Sequence, residues 1–225
     1  MSAVSGASPD AYERHVGRYT KELSAGLIRV AGVRAGQSAL DVGCGPGGLA
    51  VALADLLGDE NVAAVDPSER FVEVCRSRIP EADVRIGVVE NLPFDDASFD
   101  AVLAQLVVQD IDDASKGVTE MRRVARPGGV MSACVWDFES GMPLLQAAWD
   151  AALAIDAELA RSLGADRRPF LTPGRARRAL AFNRARGGGS RQDLRRRGLR
   201  GSRRPLVPVR CRRRRNRTLR SVPRP

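Results

Sequence analysis

Apolar runs of strand length alternate with stretches of helical periodicity along the first two-thirds of this chain. The runs are SALDVG (38–43), VAAVD (62–66), VRIGVV (84–89), FDAVLA (99–104) and VMSACVW (130–136). Most are apolar on both faces, as expected of strands buried on both sides of a sheet. Between them, residues 48–57 place Leu49, Leu53, Leu56 and Leu57 on one side of a helix. A second helix runs from an N-cap at Ser68 to Arg78, directs Phe71, Val74 and Cys75 inward, and stops before Pro80. A third spans 114–124 and ends at the helix-to-strand turn Arg126-Pro127-Gly128-Gly129. Upstream, Tyr12, His15, Val16, Tyr19, Leu23, Leu27 and Val30 recur at spacings of three and four, giving an amphipathic helix over 11–31 with a break near Gly17. Downstream, 142–163 reads as one long helix rich in Ala and Leu. Strands alternating with helices predict an α/β fold with a doubly wound, mostly parallel sheet.

Beyond Phe182 the pattern stops: no aromatic residue follows, and arginine dominates. This divides the charge of the 225-residue chain. Residues 1–166 carry 14 Lys+Arg against 26 Asp+Glu, a net −12, whereas 167–225 carry 22 Arg and only Asp193, a net +21. The overall +9 is therefore an average of two unlike segments and says little about partners. The four cysteines, Cys44, Cys75, Cys134 and Cys211, form no Cys-x-x-Cys pair and have only His15 as a possible imidazole partner, so neither a zinc site nor a disulfide framework is expected. His15 reads as a packing or surface residue. With no apolar run near 18 residues, and no basic stretch leading into an apolar core at MSAVSGASPD, a soluble cytoplasmic protein is expected.

The chemistry concentrates where the first strand meets its helix, in Ala39-Leu40-Asp41-Val42-Gly43-Cys44-Gly45-Pro46-Gly47-Gly48. Glycines there let backbone approach a ligand, and the helix N-terminus offers free N–H groups. Gly43, Gly45 and Gly48 fit the dinucleotide spacing G-x-G-x-x-G; Gly43, Gly45 and Gly47 fit G-x-G-x-G. Counting glycines does not choose between them. Asp41, however, sits where the dinucleotide fingerprint places an apolar residue. The segment LDVGCGPG resembles the first motif of the class I S-adenosylmethionine-dependent methyltransferases, in particular the group with the methyltransferase type 11 domain.

That resemblance covers 10–140 well, 141–174 loosely and the rest not at all. It implies a Rossmann-like sheet and S-adenosyl-L-methionine as cofactor. The loop with Gly43, Cys44, Gly45 and Gly47 would wrap the methionine part of the cofactor, with Asp41 helping to position it. Asp66, followed by Pro67, lies at the tip of the second strand, where a carboxylate can accept hydrogen bonds from both ribose hydroxyls; the plainer alternative is that it caps the next helix. After the third strand the family uses an acid and a backbone N–H for the adenine edge. Here that acid is replaced by Val88, leaving backbone groups around Val89 and Glu90. Gln105 would face the cofactor and Gln109 the acceptor pocket. Tyr19, with Tyr12 and Arg18, lies on a segment that folds over the cofactor as a lid in such proteins, although core packing serves the tyrosines equally well. No catalytic acid or base is assigned. Methyl transfer is an in-line displacement in which alignment and water exclusion do most of the work, and no metal is needed.

The tail has two readings. As a cationic arm, 175–225 would bind RNA or another polyanion. Against this, the whole chain holds 34 Arg and two Lys, a bias typical of a GC-rich gene, in which a shifted reading frame yields abundant Arg, Pro and Gly. A frameshift near Gly174 is the favoured expectation, and the C-terminal strands of the fold are then expected to be lacking. The resulting plan is a helical lid segment (1–36), a cofactor-binding core (37–140), a helical segment (141–174) and the Arg-rich tail (175–225). The leading function is a methyltransferase for a small-molecule acceptor. An NAD(P)-dependent oxidoreductase and a non-enzymatic RNA-binding protein remain the alternatives. The acceptor and the oligomeric state are not legible in the sequence.

Overall fold

The computed structural model describes residues 12–136, 143–162 and 206–210. It contains a six-stranded sheet in the order β3-β2-β1-β4-β5-β6. The strands are β1 (Ala39–Val42), β2 (Val62–Asp66), β3 (Asp83–Ile86), β4 (Phe99–Gln105), β5 (Ala125–Cys134) and β6 (Leu206–Arg210). The first five are parallel and β6 is antiparallel to β5. Strand order reverses between β1, which runs outward to β2 and β3, and β4. This places a topological switch point at the carboxyl ends of β1 and β4, where open α/β sheets bind ligands.

Helices α1 (Arg18–Ala31), α2 (Gly48–Leu57) and α3 (Glu69–Arg78) cover one face, and α4 (Ala114–Val124) covers the other. Strand residues alternate between the two cores. Ala39, Ala64, Ala101 and Leu103 pack with Leu27, Leu49, Leu53 and Val72. Leu40, Val42, Val65 and Val102 pack with Val118, Met121 and Val124. Such double-sided burial is what makes the strand runs nearly continuous in apolar residues. By this alternation Asp41, a carboxylate in an otherwise apolar strand, faces the side of α1 and α2.

Several local expectations are refined. Five residues of π-helix, Glu13–Gly17, precede α1, which is the form the predicted break near Gly17 takes. The helix expected over 142–163 is two, α5 (Pro143–Ile155) and α6 (Ala157–Ser162). Asp156 separates them because its carboxylate accepts the Leu159 N–H at 2.9 Å, a side-chain cap that starts a new helix. Asp113 caps α4 in the same way through Lys116 N–H. Arg126-Pro127-Gly128-Gly129 is part of β5, at a register irregularity opposite Phe99, and not a turn before it. Ser68 precedes α3 without capping it through its side chain.

At the β3 edge, the Arg76 guanidinium donates two hydrogen bonds to the Val84 carbonyl, occupying an acceptor that another strand could use. At the opposite edge β6 pairs with β5, so the sheet is not bare where the sequence leads one to expect missing strands. LVPVR is the β-branched run of the tail, and its Pro208 is tolerated because an edge strand needs only one bonded side. The other expectations for 137–142, 163–205 and 211–225, and for the His15 side chain, lie outside the described residues.

Candidate functional site

The loop after β1 is shaped by three glycines with left-handed backbone: Gly43 (φ 70°), Gly45 (φ 53°) and Gly47 (φ 95°). They alternate with Cys44 and Pro46, so the working spacing is G-x-G-x-G. Gly48 serves packing instead. A Cβ there would sit 2.1 Å from Thr20 Cγ2, so its absence permits α1 to cross the start of α2. The loop is anchored from β2, since Gly43 N–H and Cys44 N–H both donate to the Val65 carbonyl, at 2.8 and 3.0 Å. Asp66 completes the anchor. One carboxylate oxygen accepts Gly45 N–H at 2.9 Å and the other accepts Ser68 N–H at 2.9 Å. Asp66 therefore ties the glycine loop to the entry of α3, a wider role than capping that helix. Burial raises its pKa, opposed by the two backbone N–H groups.

Asp41 lies on the floor of a cavity that this loop closes, together with Gln105, Tyr12 and Thr20. It is 1% exposed, and neither of its carboxylate oxygens has a hydrogen-bond partner. Burial, reinforced by the negative charge of Asp66, pushes its pKa up to about 8; the nearby Ala50 backbone N–H opposes this without making a hydrogen bond of acceptable geometry. A buried carboxylate without a partner costs several kcal/mol of desolvation, so something outside the described chain is expected to satisfy it. Gln105 stands on β4, two residues beyond Leu103, the partner of Asp41 in the parallel register, and is also buried.

The other sequence-predicted residues are distributed more widely. Cys44 is buried in the loop, and its contact with the Cys75 thiol, together with burial, pushes its own thiol pKa well up. Pro67 is exposed. Val89 packs against α4 beside Gly117, and Glu90 accepts the Asp113 N–H at 3.4 Å; neither lines the cavity, although Gly87 N–H bonds the Asp66 carbonyl and brings their loop alongside β2. Tyr19 is 48% exposed and meets Trp136 edge-on at 5.9 Å, whereas Tyr12 lines the cavity and packs edge-on against Phe71 at 5.5 Å. Gln109 has both ends of its amide engaged, donating to the Leu106 carbonyl and accepting from Trp136 N–H. It joins the end of β4 to the end of β5. Sequence reasoning misses Thr20 and Ser24. Their signal is small polar residues four apart on the buried stripe of α1.

Comparison with known proteins bears directly on this arrangement. The methyltransferase domain family matches residues 40–133, the stretch from β1 through β5 that carries the loop, Asp66 and Gln105. The chain is 36% identical over 137 residues to an uncharacterised methyltransferase of Mycobacterium bovis, covering 61% of this chain and 53% of that protein. It is 35% identical over 104 residues to a demethylmenaquinone methyltransferase of Chlorobaculum tepidum, covering 46% and 41%. The chain thus spans about half the length, or less, of these curated relatives. Two solved structures share the fold. One is an S-adenosylmethionine-dependent methyltransferase of Thermotoga maritima (TM-score 0.55, 23% identity, 80% of each chain), described as a possible histamine N-methyltransferase. The other is from Methanococcus maripaludis (TM-score 0.56, 18% identity, 80% of this chain and 82% of that one).

Among the described residues no His/Cys/Asp/Glu cluster able to hold a metal occurs, and no helix is long and apolar enough to cross a membrane.

Proposed function

We propose that this chain is an S-adenosyl-L-methionine-dependent methyltransferase acting on a small-molecule acceptor in the cytoplasm. The observation that carries the reading is the buried carboxylate of Asp41, without a partner, beneath a loop of left-handed glycines. These residues fit the cofactor. A cationic ammonium is the partner that a buried carboxylate lacks, and the glycine loop leaves room for backbone to approach a ligand. Asp41 would hold the amino-acid end, Asp66 the ribose and the loop of Gly43, Gly45 and Gly47 the region between; Gln105 borders the same cavity. When bound, the cofactor supplies an electrophilic methyl group on a sulfonium.

The chain's own part is to bind, align and exclude water. Tyr12 and Thr20 line the cavity from the N-terminal segment, which supports a covering role for 1–36. Gln109, bonded at both ends, is suited to holding the acceptor-side wall together. The cytoplasmic placement is supported by three buried cysteines carried as thiols, Cys44, Cys75 and Cys134, a pattern of reducing compartments.

Calorimetric titration of the purified chain tests the reading. S-adenosylhomocysteine is expected to bind and NAD to give no heat. Binding of NAD in place of S-adenosylhomocysteine would transfer the glycine loop to a dinucleotide enzyme.

A further inference from the structure

Ser24 is fully buried on α1, yet its hydroxyl does not bond within its own helix. It reaches across to the sheet and donates to Gln105 Oε1 at 3.1 Å, from a residue 81 positions away. A second acceptor, the Gly48 carbonyl, stands at 3.5 Å, at the limit of a useful bond. A hydroxyl has one proton to donate, and the shorter contact takes it. An amide so engaged through its oxygen has its NH₂ directed elsewhere, and Gln105 lines the cavity above Asp41.

The backbone around Gln105 is fixed as firmly as its side chain. Leu106 adopts a left-handed conformation (φ 61°), uncommon for a leucine, and its N–H bonds the Cys134 carbonyl at 2.8 Å. Such strain persists only where the surroundings hold it. β4 thereby ends at Gln105.

We propose that Ser24 is a positioning residue that sets the orientation of the Gln105 amide, so that the cavity presents an N–H donor from Gln105 beside the acceptor carboxylate of Asp41. A donor next to an acceptor matches the two charged ends of an amino-acid group: the ammonium on Asp41, the carboxylate on the Gln105 NH₂. The inference rests on the cofactor reading above and deepens it, because it assigns the recognition of one half of the ligand to a helix–sheet contact outside the glycine loop.

The test compares two ligands. S-adenosylhomocysteine carries the amino-acid group; 5′-methylthioadenosine has the same adenosine and thioether without it. Ser24→Ala is expected to weaken S-adenosylhomocysteine binding about tenfold, the effect of losing one oriented hydrogen bond to a charged group, and to leave methylthioadenosine within about twofold of wild type. Gln105→Met, which keeps the volume and removes the donor, is expected to show the same selectivity, and the double variant to be no worse than Gln105→Met alone. Should Ser24→Ala not fold, Gln105→Met carries the comparison. Equal losses for both ligands, or additive losses in the double variant, would mean that Ser24 merely docks α1, and would overturn the proposal. Wild-type binding of neither ligand would overturn the cofactor reading itself, whereas a wild-type preference for S-adenosylhomocysteine over methylthioadenosine that Ser24→Ala and Gln105→Met both leave unchanged would overturn this inference alone.

Discussion

Asp41→Asn is expected to do two opposite things: weaken S-adenosylhomocysteine binding by roughly 100-fold or more, and stabilise the ligand-free protein at neutral and alkaline pH. The first follows from removing one partner of a buried charge pair, which typically costs about 2–5 kcal/mol. The second follows from the free state, in which both carboxylate oxygens are buried without partners. The folded-state pKa is raised to about 8 from an ordinary value of 3.8. Below about pH 4 the carboxyl is protonated in both the folded and unfolded chain, and no penalty applies. Between pH 4 and 8 the unfolded chain ionises while the folded chain keeps its proton, so stability falls as pH rises, by at most about 1.4 kcal/mol per pH unit. Above pH 8 the penalty is complete. Asparagine does not titrate. The melting temperature of the variant should therefore match wild type near pH 4 and exceed it increasingly up to pH 8, by about 2–4 °C for each kcal/mol. Thermal melts at a series of pH values check this. A wild-type curve parallel to that of the variant would show that Asp41 does not carry its charge in a dry site.

Gly43→Ala is expected to lower stability by roughly 3 kcal/mol and abolish measurable S-adenosylhomocysteine binding. Two costs add. A left-handed conformation costs an alanine about 1–2 kcal/mol, and Gly43 has φ 70°. The new Cβ would also stand 2.3 Å from Val107 Cγ2 and 2.8 Å from Val107 Cγ1, an overlap that must be relieved by moving the loop or the end of β4, at about 1–3 kcal/mol. For a chain of this length the melting temperature should fall by about 6–12 °C. Gly36 provides the control: φ is 81° there, but nothing lies within 4 Å of the position a Cβ would take, so Gly36→Ala should bear the conformational cost alone and leave ligand binding intact. Adding Val107→Ala to Gly43→Ala should recover part of the lost stability by opening the crowded site. Recovery of nothing would mean that the strain lies in the backbone and not in the contact.

Much of this fold was legible because strands buried on both faces leave a nearly continuous apolar signal. VAAVD coincides with β2, and the helices 48–57 and 114–124 have the predicted bounds. What escaped was decided by single side-chain contacts. Asp156 divides a helix by capping its second half, which no apolar periodicity reports. In the candidate site, Asp41, Asp66 and the glycine loop stand out in the sequence because each is unusual for its place on a strand or turn. The choice between two glycine spacings was not, since it depends on which glycines are left-handed and which merely admits a neighbouring helix. From the sequence Gln109 reads as an acceptor-side residue, yet its two bonds to Leu106 and Trp136 depend on strands β4 and β5 lying side by side, a long-range fact. Tyr12 and Tyr19 are seven apart on one segment, and only the packing against Phe71 and Trp136 tells which of them borders the cavity.

Hydrogen exchange of the whole chain, with and without S-adenosylhomocysteine, tests most directly that the cavity over Asp41 is the cofactor site. Added protection is expected in the glycine loop (43–48) and at the end of β2 (66–68), where backbone N–H groups meet the loop and its anchor, with the far ends of the strands unchanged. Protection confined to other segments, or binding without any change at 43–48, would contradict that assignment.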